Sequence, residues 1–439
     1  MIPCAVVLCS VGLPPNPRKL PFAMHDITGS RRAFLQSGAI LAASAPAAFP
    51  QAATSKRAEF IASIEKVTLR RGRDGSGPTW FHPRACMVPG AGGATVFMTL
   101  QTIAGSDYFG PVHWMTSRDL GKTWTEPQPV PPLGRVKQGN GPTEEGVCDV
   151  VPEWHPQTKS VLAFGHNVFY SGPKFSADQP ARWPIYAVWR DGKWGPRRKL
   201  EWVDPRGAYI YSNNCGQRVV LPNGDIQMAF TFGASKGEAR AVAGVICGFD
   251  GETLTVKQVG EPILNPKGRG LLEPSVTQFY GRFFLTIRAE DSRGYVCVGD
   301  DGLKWSPKQA WAWDDGTPLD MSTTQQHWLT HSDALFLVYT RKDASNVNVP
   351  RWRSPLWVAQ VDPRTLRLRR DTERVVLPLV GDGVNKPDDV AYSGNFHPVN
   401  VSPDESWVTD GEMLPKRGYK GDLLLARIRW HRPNRLVAG

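Results

Sequence analysis

Ser117-Arg118-Asp119-Leu120-Gly121-Lys122-Thr123-Trp124 is an S-x-D-x-G-x-T-W stretch, and its residue types have a mechanical reading. An Asp side chain caps its own turn and Gly accepts φ > 0, so the two build a tight connection between strands. Thr123 and Trp124 then open the outgoing strand, and Trp124 plugs the space between the hairpin and a neighbouring sheet. Such a turn marks the edge of a sheet and carries no chemistry itself.

Weaker copies recur along the chain. Asp300-Asp301-Gly302-Leu303-Lys304-Trp305 keeps the core with one residue shifted, and Trp189-Arg190-Asp191-Gly192-Lys193-Trp194 shortens it. Phe249-Asp250-Gly251-Glu252-Thr253-Leu254 and Val361-Asp362-Pro363-Arg364-Thr365-Leu366 have the turn chemistry without Trp. Each follows a short apolar run, at 112–115, 185–188, 245–247, 295–298 and 356–361. The turn Asp residues at 119, 191, 250, 300 and 362 are spaced by 72, 59, 50 and 62 residues. A period of this size is the signature of a propeller. Five turns and a last strand at 422–430 predict an all-β fold, a six-bladed β-propeller of four-stranded antiparallel blades. A strand at 63–69 would complete the last blade and close the ring.

The N-terminal region reads differently. Ser30-Arg31-Arg32-Ala33-Phe34-Leu35-Gln36 matches the twin-arginine export pattern, and a short apolar run with small residues follows it. That run is too short for the ~20 apolar residues of a membrane span. Residues 1–23 read as a misassigned extension, 24–53 as a twin-arginine signal peptide, and 54–439 as the propeller. The expected location is periplasmic or secreted, with no stable membrane insertion once the signal is removed.

The chain carries seven Cys, two of them, Cys4 and Cys9, in the leader. The other five, Cys86, Cys148, Cys215, Cys247 and Cys297, lack CxxC spacing, which argues against a zinc cluster. Buried free thiols are the expected state, with one disulfide left open. No metal and no cofactor is expected. Net charge is +11, spread without a basic run. That distribution disfavours a nucleic-acid partner; it reads either as an ordinary basic solvated surface or as one that attracts an anionic carbohydrate.

The 117–124 stretch resembles the Asp-box of the sialidase (neuraminidase) superfamily, and a second region supports the resemblance. Glu273-Pro274-Ser275-Val276 is followed by a strand, a turn at Gly281 and a second strand ending at Arg288. The resemblance implies that Glu273 polarises a nucleophilic Tyr and that Arg288 is one of three arginines clamping a substrate carboxylate. A guanidinium fork suits that task, and a Tyr nucleophile needs a basic neighbour. The bland alternative pairs Glu273 with Arg288. Arg84, in Phe81-His82-Pro83-Arg84, stands where the first clamp arginine is expected, although the Pro precedes it. Arg353 is the choice for the third, with Arg351 as the other candidate. Asp107, on the loop before the box, matches the general acid, and Tyr108 and Phe109 would desolvate it. Tyr392, in a Tyr-Ser pair followed a hairpin later by Asp410 and Glu412, matches the nucleophile. Gln326 and His327 are further candidates for the mouth, as are His166 and Asn395. The implied activity is retaining hydrolysis of an acidic glycoside. A uronate polysaccharide lyase, with a base such as His327, and a non-catalytic glycan-binding propeller are the alternatives.

Overall fold

The computed structural model describes residues 59–437. The expected extension and export signal, residues 1–53, lie outside the described residues. Among the described residues the strands form six antiparallel sheets. In chain order the strands that begin them are Trp80–Val88, Thr143–His155, Ile210–Ser212, Leu271–Phe279, His327–His331 and His397–Ser402. Two of the sheets are four-stranded, and the other four carry additional short strands such as Tyr108–Phe109 and Arg374–Leu377. The expectation of uniform four-stranded blades is corrected to that extent. The fold is an all-β propeller of antiparallel sheets.

Burial explains the ring. Strands such as Ile226–Gly233 and Ala334–Tyr339 are buried along their whole length. A sheet that is apolar on both faces must be covered on both, and successive sheets supply the cover. Val112 and Val130 of the first sheet region pack with Val147 and Ala163 of the second. Phe164 meets Phe230, Ala229 and Val242 meet Leu285, and Phe284 meets Trp328. Phe336 and Val358 pack with Val408 and Ile428. Trp407 and Leu425 return to Met98 and Met115 of the first sheet. The strand Ile61–Arg70 pairs antiparallel with Leu423–Trp430, so the N-terminal strand completes the last sheet as expected.

The 117–124 turn works as its chemistry predicts. Asp119 accepts from the Thr123 amide at 2.9 Å and hydroxyl at 2.6 Å, and Ser117 Oγ accepts from the Gly121 amide at 2.7 Å. Trp124 lies against Trp407 of the last sheet, with centroids 6.2 Å apart. It precedes the outgoing strand Gln128–Pro129 rather than opening it. At 300–305 the capping carboxylate is Asp301, which accepts from the Leu303 and Lys304 amides, while Asp300 pairs with Arg282. Cys86, Cys148, Cys215, Cys247 and Cys297 are buried free thiols. No helix among the described residues is long and apolar enough to cross a membrane.

Gly121 has φ 74°, and a Cβ there would stand 2.8 Å from the buried Trp407 ring. Gly121→Ala should therefore lower the unfolding free energy by about 2–4 kcal/mol. Urea denaturation measures it, and an unchanged midpoint would contradict the contact.

Candidate active site

Regular strands alternate their side chains, so an innermost strand would turn every second residue away from the axis. Three of these strands break that alternation with a β-bulge. The registers shift between Phe81 and Arg84, between Cys148 and Val151, and between Leu272 and Ser275. Each bulge contains a residue in the left-handed region: His82 (φ 51°), Asp149 (φ 56°) and Glu273 (φ 46°). In the third sheet Asn214 (φ 53°) stands in the break between Ile210–Ser212 and Val219–Val220. Bulges re-aim side chains, and all four residues line one cavity of about 410 Å³.

That cavity also receives most of the residues expected from sequence. Asp107, Glu273, Arg288, Arg353 and Tyr392 line it, as does Arg351. Asp107 sits at φ 52° and is exposed. The expected desolvation by its neighbours is not made. The Tyr108 ring packs edge-on to Tyr170, and Phe109 packs on Phe81 and His82.

Three expected residues do not reach the cavity wall. Arg84 is fully buried, and its Nη2 donates to Asp149 Oδ1 at 2.6 Å. It acts on the cavity through Asp149 and is not an open clamp arginine. Gln326 and His327 are buried in the propeller interior. Gln326 Oε1 accepts from Thr286 Oγ1 at 2.7 Å, and His327 Nδ1 bonds Ser275 Oγ at 2.9 Å. Both side chains are spent on the neighbouring sheet and neither lines the cavity, which withdraws both from substrate binding.

Glu273 Oε1 accepts from Arg288 Nη1 at 2.5 Å. No hydrogen bond joins it to Tyr392, so the expected acid–tyrosine pair gives way to the ion pair. Tyr392 is held by its backbone, which exchanges two hydrogen bonds with Met413 at 2.7 and 3.1 Å. Burial pushes its hydroxyl up from the ordinary tyrosine range, Asp388 adds to that, and Arg353 opposes it. Asp410 is buried behind this segment, and Glu412 pairs with Arg73.

At the floor, burial would push the Asp149 carboxyl up, but His82, Arg84 and His166 outweigh it and hold it well below the carboxylate range. Burial presses His82 down to about 4 and His166 down to about 3, against the pull of Asp149, so both rings are neutral near pH 7. The ligand atoms of Cys148, Asp149 and His166 lie within 4.8 Å of one another, a metal-capable trio that sequence spacing did not reveal. Arg84 already neutralises the carboxylate there.

Arginine dominates the remaining wall. Arg182, Arg240, Arg269, Arg288, Arg351 and Arg353 face three carboxylates, those of Asp107, Asp149 and Glu273. Burial and the neighbouring Arg351 and Arg288 press the Arg353 guanidinium down to about 10. Its Nε is buried with no hydrogen-bond partner. Arg182, Arg240 and Arg269 carry no strand-turn motif, and only their place at the sheet edges brings them here.

The unfolded chain protonates His82 near its ordinary 6.5, whereas the folded chain does so only near 4. Between those values the unfolded state binds more protons, so stability falls as pH drops from about 6.5 toward 4. His82→Asn tolerates the left-handed backbone and removes that proton. It should flatten the acid slope by about 1.4 kcal/mol per pH unit in that window, as read from denaturation midpoints. A slope identical to wild type would contradict the assignment.

The sequence matches no protein-family model and no curated protein. The fold is similar to a protein of unknown function from Dyadobacter fermentans, with TM-score 0.60 and 14% identity over 84% of this chain and 100% of that one. It is also similar to the Trypanosoma rangeli sialidase in complex with the inhibitor DANA, with TM-score 0.54 and 14% identity over 83% of this chain. The chain spans 59% of that sialidase's length. The NanB sialidase from Streptococcus pneumoniae matches with TM-score 0.56 and 10% identity, over 83% of this chain and 70% of that one. The chain has the sialidase-type β-propeller fold.

Proposed function

We infer that the six sheets are the six blades of one sialidase-like propeller, and that its cavity hydrolyses the glycosidic bond of an acidic sugar. The observation that carries this is the meeting of Asp107, Tyr392, Glu273 and three arginines, Arg288, Arg351 and Arg353, on one cavity wall. Arg351 and Arg353 make no ion pair among the described residues, and Arg353 Nε is buried without a hydrogen-bond partner, which leaves both forks for a substrate carboxylate. Arg351 takes the place in the clamp that the buried Arg84 leaves open.

The Glu273–Arg288 ion pair gives the site an order of events. A substrate carboxylate competes for Arg288 and releases Glu273. Glu273 then takes the phenol proton of Tyr392 as the Tyr392 oxygen attacks the anomeric carbon. The bond to the leaving group breaks, and Asp107 delivers its proton to the departing oxygen. In the second half Asp107 takes a proton from water, the water oxygen displaces Tyr392, and Glu273 returns the phenol proton. A neutral nucleophile suits a site that holds a substrate carboxylate, because a second anion beside it would be repelled.

A 2,3-difluoro acidic-sugar analogue should leave a covalent adduct on Tyr392, seen by mass spectrometry of the digested protein. Tyr392→Phe should abolish the adduct, and Asp107→Asn should cut kcat/KM by roughly 10²–10⁴-fold. Turnover without any adduct, with products absorbing as unsaturated uronates, would replace hydrolysis by the lyase reading. His82 and His166 would then be the histidines to test, since His327 is buried away from the cavity.

Export through the twin-arginine route belongs to the same proposal. Changing Arg31 and Arg32 together to Lys should retain the protein in the cytoplasm of its host, as measured by fractionation. Normal export of that variant would refute the route.

A further inference from the structure

The arginines of the cavity fall into two groups. Arg288 lies near the end of the strand Arg282–Ala289 of the fourth sheet, and Arg351 and Arg353 precede the strand Leu356–Asp362 of the fifth, all three on the cavity wall. Arg182 and Arg240 lie at the seams on either side of the third sheet, and Arg269, whose carbonyl accepts from the Arg240 amide, adjoins Arg351 as well. Arg269 is neutralised: it donates to Glu290 through Nε at 2.9 Å and through its amide at 3.1 Å. Arg182 and Arg240 have no carboxylate partner among the described residues. The Arg182 guanidinium lies over the Phe175 ring, 5.5 Å from its centroid, and Phe175 is itself part of the cavity wall.

Both are held by their backbones at seams between sheets. The Arg182 amide donates to Tyr209 O at 3.1 Å, and its carbonyl accepts from the Tyr211 amide at 3.1 Å. The Arg240 amide donates to Arg269 O at 2.9 Å, and its carbonyl accepts from the Leu271 amide at 2.8 Å. Gly270 (φ 83°) permits the second seam, because a Cβ there would stand 2.2 Å from Arg240 O. Both seams are made by backbone groups, and among the described residues neither guanidinium makes an ion pair, so both forks stay available at the wall. Two like charges held close in a half-buried wall repel each other, and an anion relieves that repulsion.

Resting on the hydrolase reading of the same cavity, we propose that the substrate is a dianionic glycan. Arg288, Arg351 and Arg353 hold the carboxylate of the reacting sugar. Arg182 and Arg240 hold a second anionic group, a sulfate ester or a second carboxylate, on that sugar or the adjoining unit.

Calorimetry at 0.15 M salt, where long-range attraction is screened, tests this with three probes. They are unsulfated chondroitin disaccharide, its 6-sulfated form and digalacturonic acid. The wild type should bind at least one of the two dianionic probes about tenfold or more tightly than the unsulfated disaccharide. Preference for the sulfated form identifies a sulfate ester, and preference for digalacturonic acid identifies a second carboxylate. The R182Q/R240Q variant should lose that preference, and Arg240→Lys, which keeps the charge but not the fork, should retain part of it. Equal affinity for all three probes, no binding of either dianion, or a preference that survives in R182Q/R240Q would overturn the proposal. Tight dianion binding without turnover would keep the second anion site and remove the hydrolase reading. Turnover of a monoanionic sugar with no dianion preference would do the reverse.

Discussion

The site depends on one backbone constraint, the bulge that each of three strands makes where it meets the cavity. A strand without it would present side chains to the axis at alternate positions and bury the rest between sheets. At His82, Asp149 and Glu273 the left-handed backbone turns a polar side chain into the cavity. His and Asp tolerate that conformation better than Glu does, so Glu273 is the costliest of the three. Strain of about 1–3 kcal/mol per residue persists only where the surroundings over-determine it. The surroundings here are the apolar layers between successive sheets, from Val112 against Ala163 round to Trp407 against Met98.

Charge is the second organising feature. Six guanidinium groups share a wall with three carboxylates, and two of those carboxylates, Asp149 and Glu273, are already paired with Arg84 and Arg288. The histidines at the floor are kept neutral by burial and add no positive charge near pH 7. What remains is an excess of arginine without local neutralisation, which an anionic ligand would complete. The two ion pairs differ in kind. In Arg84–Asp149 the guanidinium is fully buried and fixes a carboxylate of the cavity lining. Glu273–Arg288 lies on the cavity wall, with both partners lining it.

Much of the fold was legible in sequence because turn chemistry is local. Asp119, Asp191, Asp250 and Asp362 cap or form turns where their short-range pattern placed them, and the 300–305 turn moved by one residue because adjacent aspartates offer two equivalent caps. The Glu273-to-Arg288 unit was legible for the same reason, since a strand, a tight turn and a strand fix the spacing. Arg84, Gln326 and His327 were misplaced because sequence does not report depth along an innermost strand. Residues a few positions apart on such a strand pass from the open mouth to the packed interior. Arg182 and Arg240 were invisible because their placement comes from hydrogen bonds between neighbouring sheets. Asp149 was missed because the bulge that aims it has no composition signature.

The central claim is that this cavity turns over acidic sugars. The direct measurement is initial rate on a panel of 4-methylumbelliferyl glycosides, pairing each acidic sugar with its neutral counterpart. An acidic-sugar hydrolase releases fluorescence from at least one acidic glycoside and none above background from its neutral counterpart. Equal rates on both members of a pair, or no release from any acidic sugar, would contradict it.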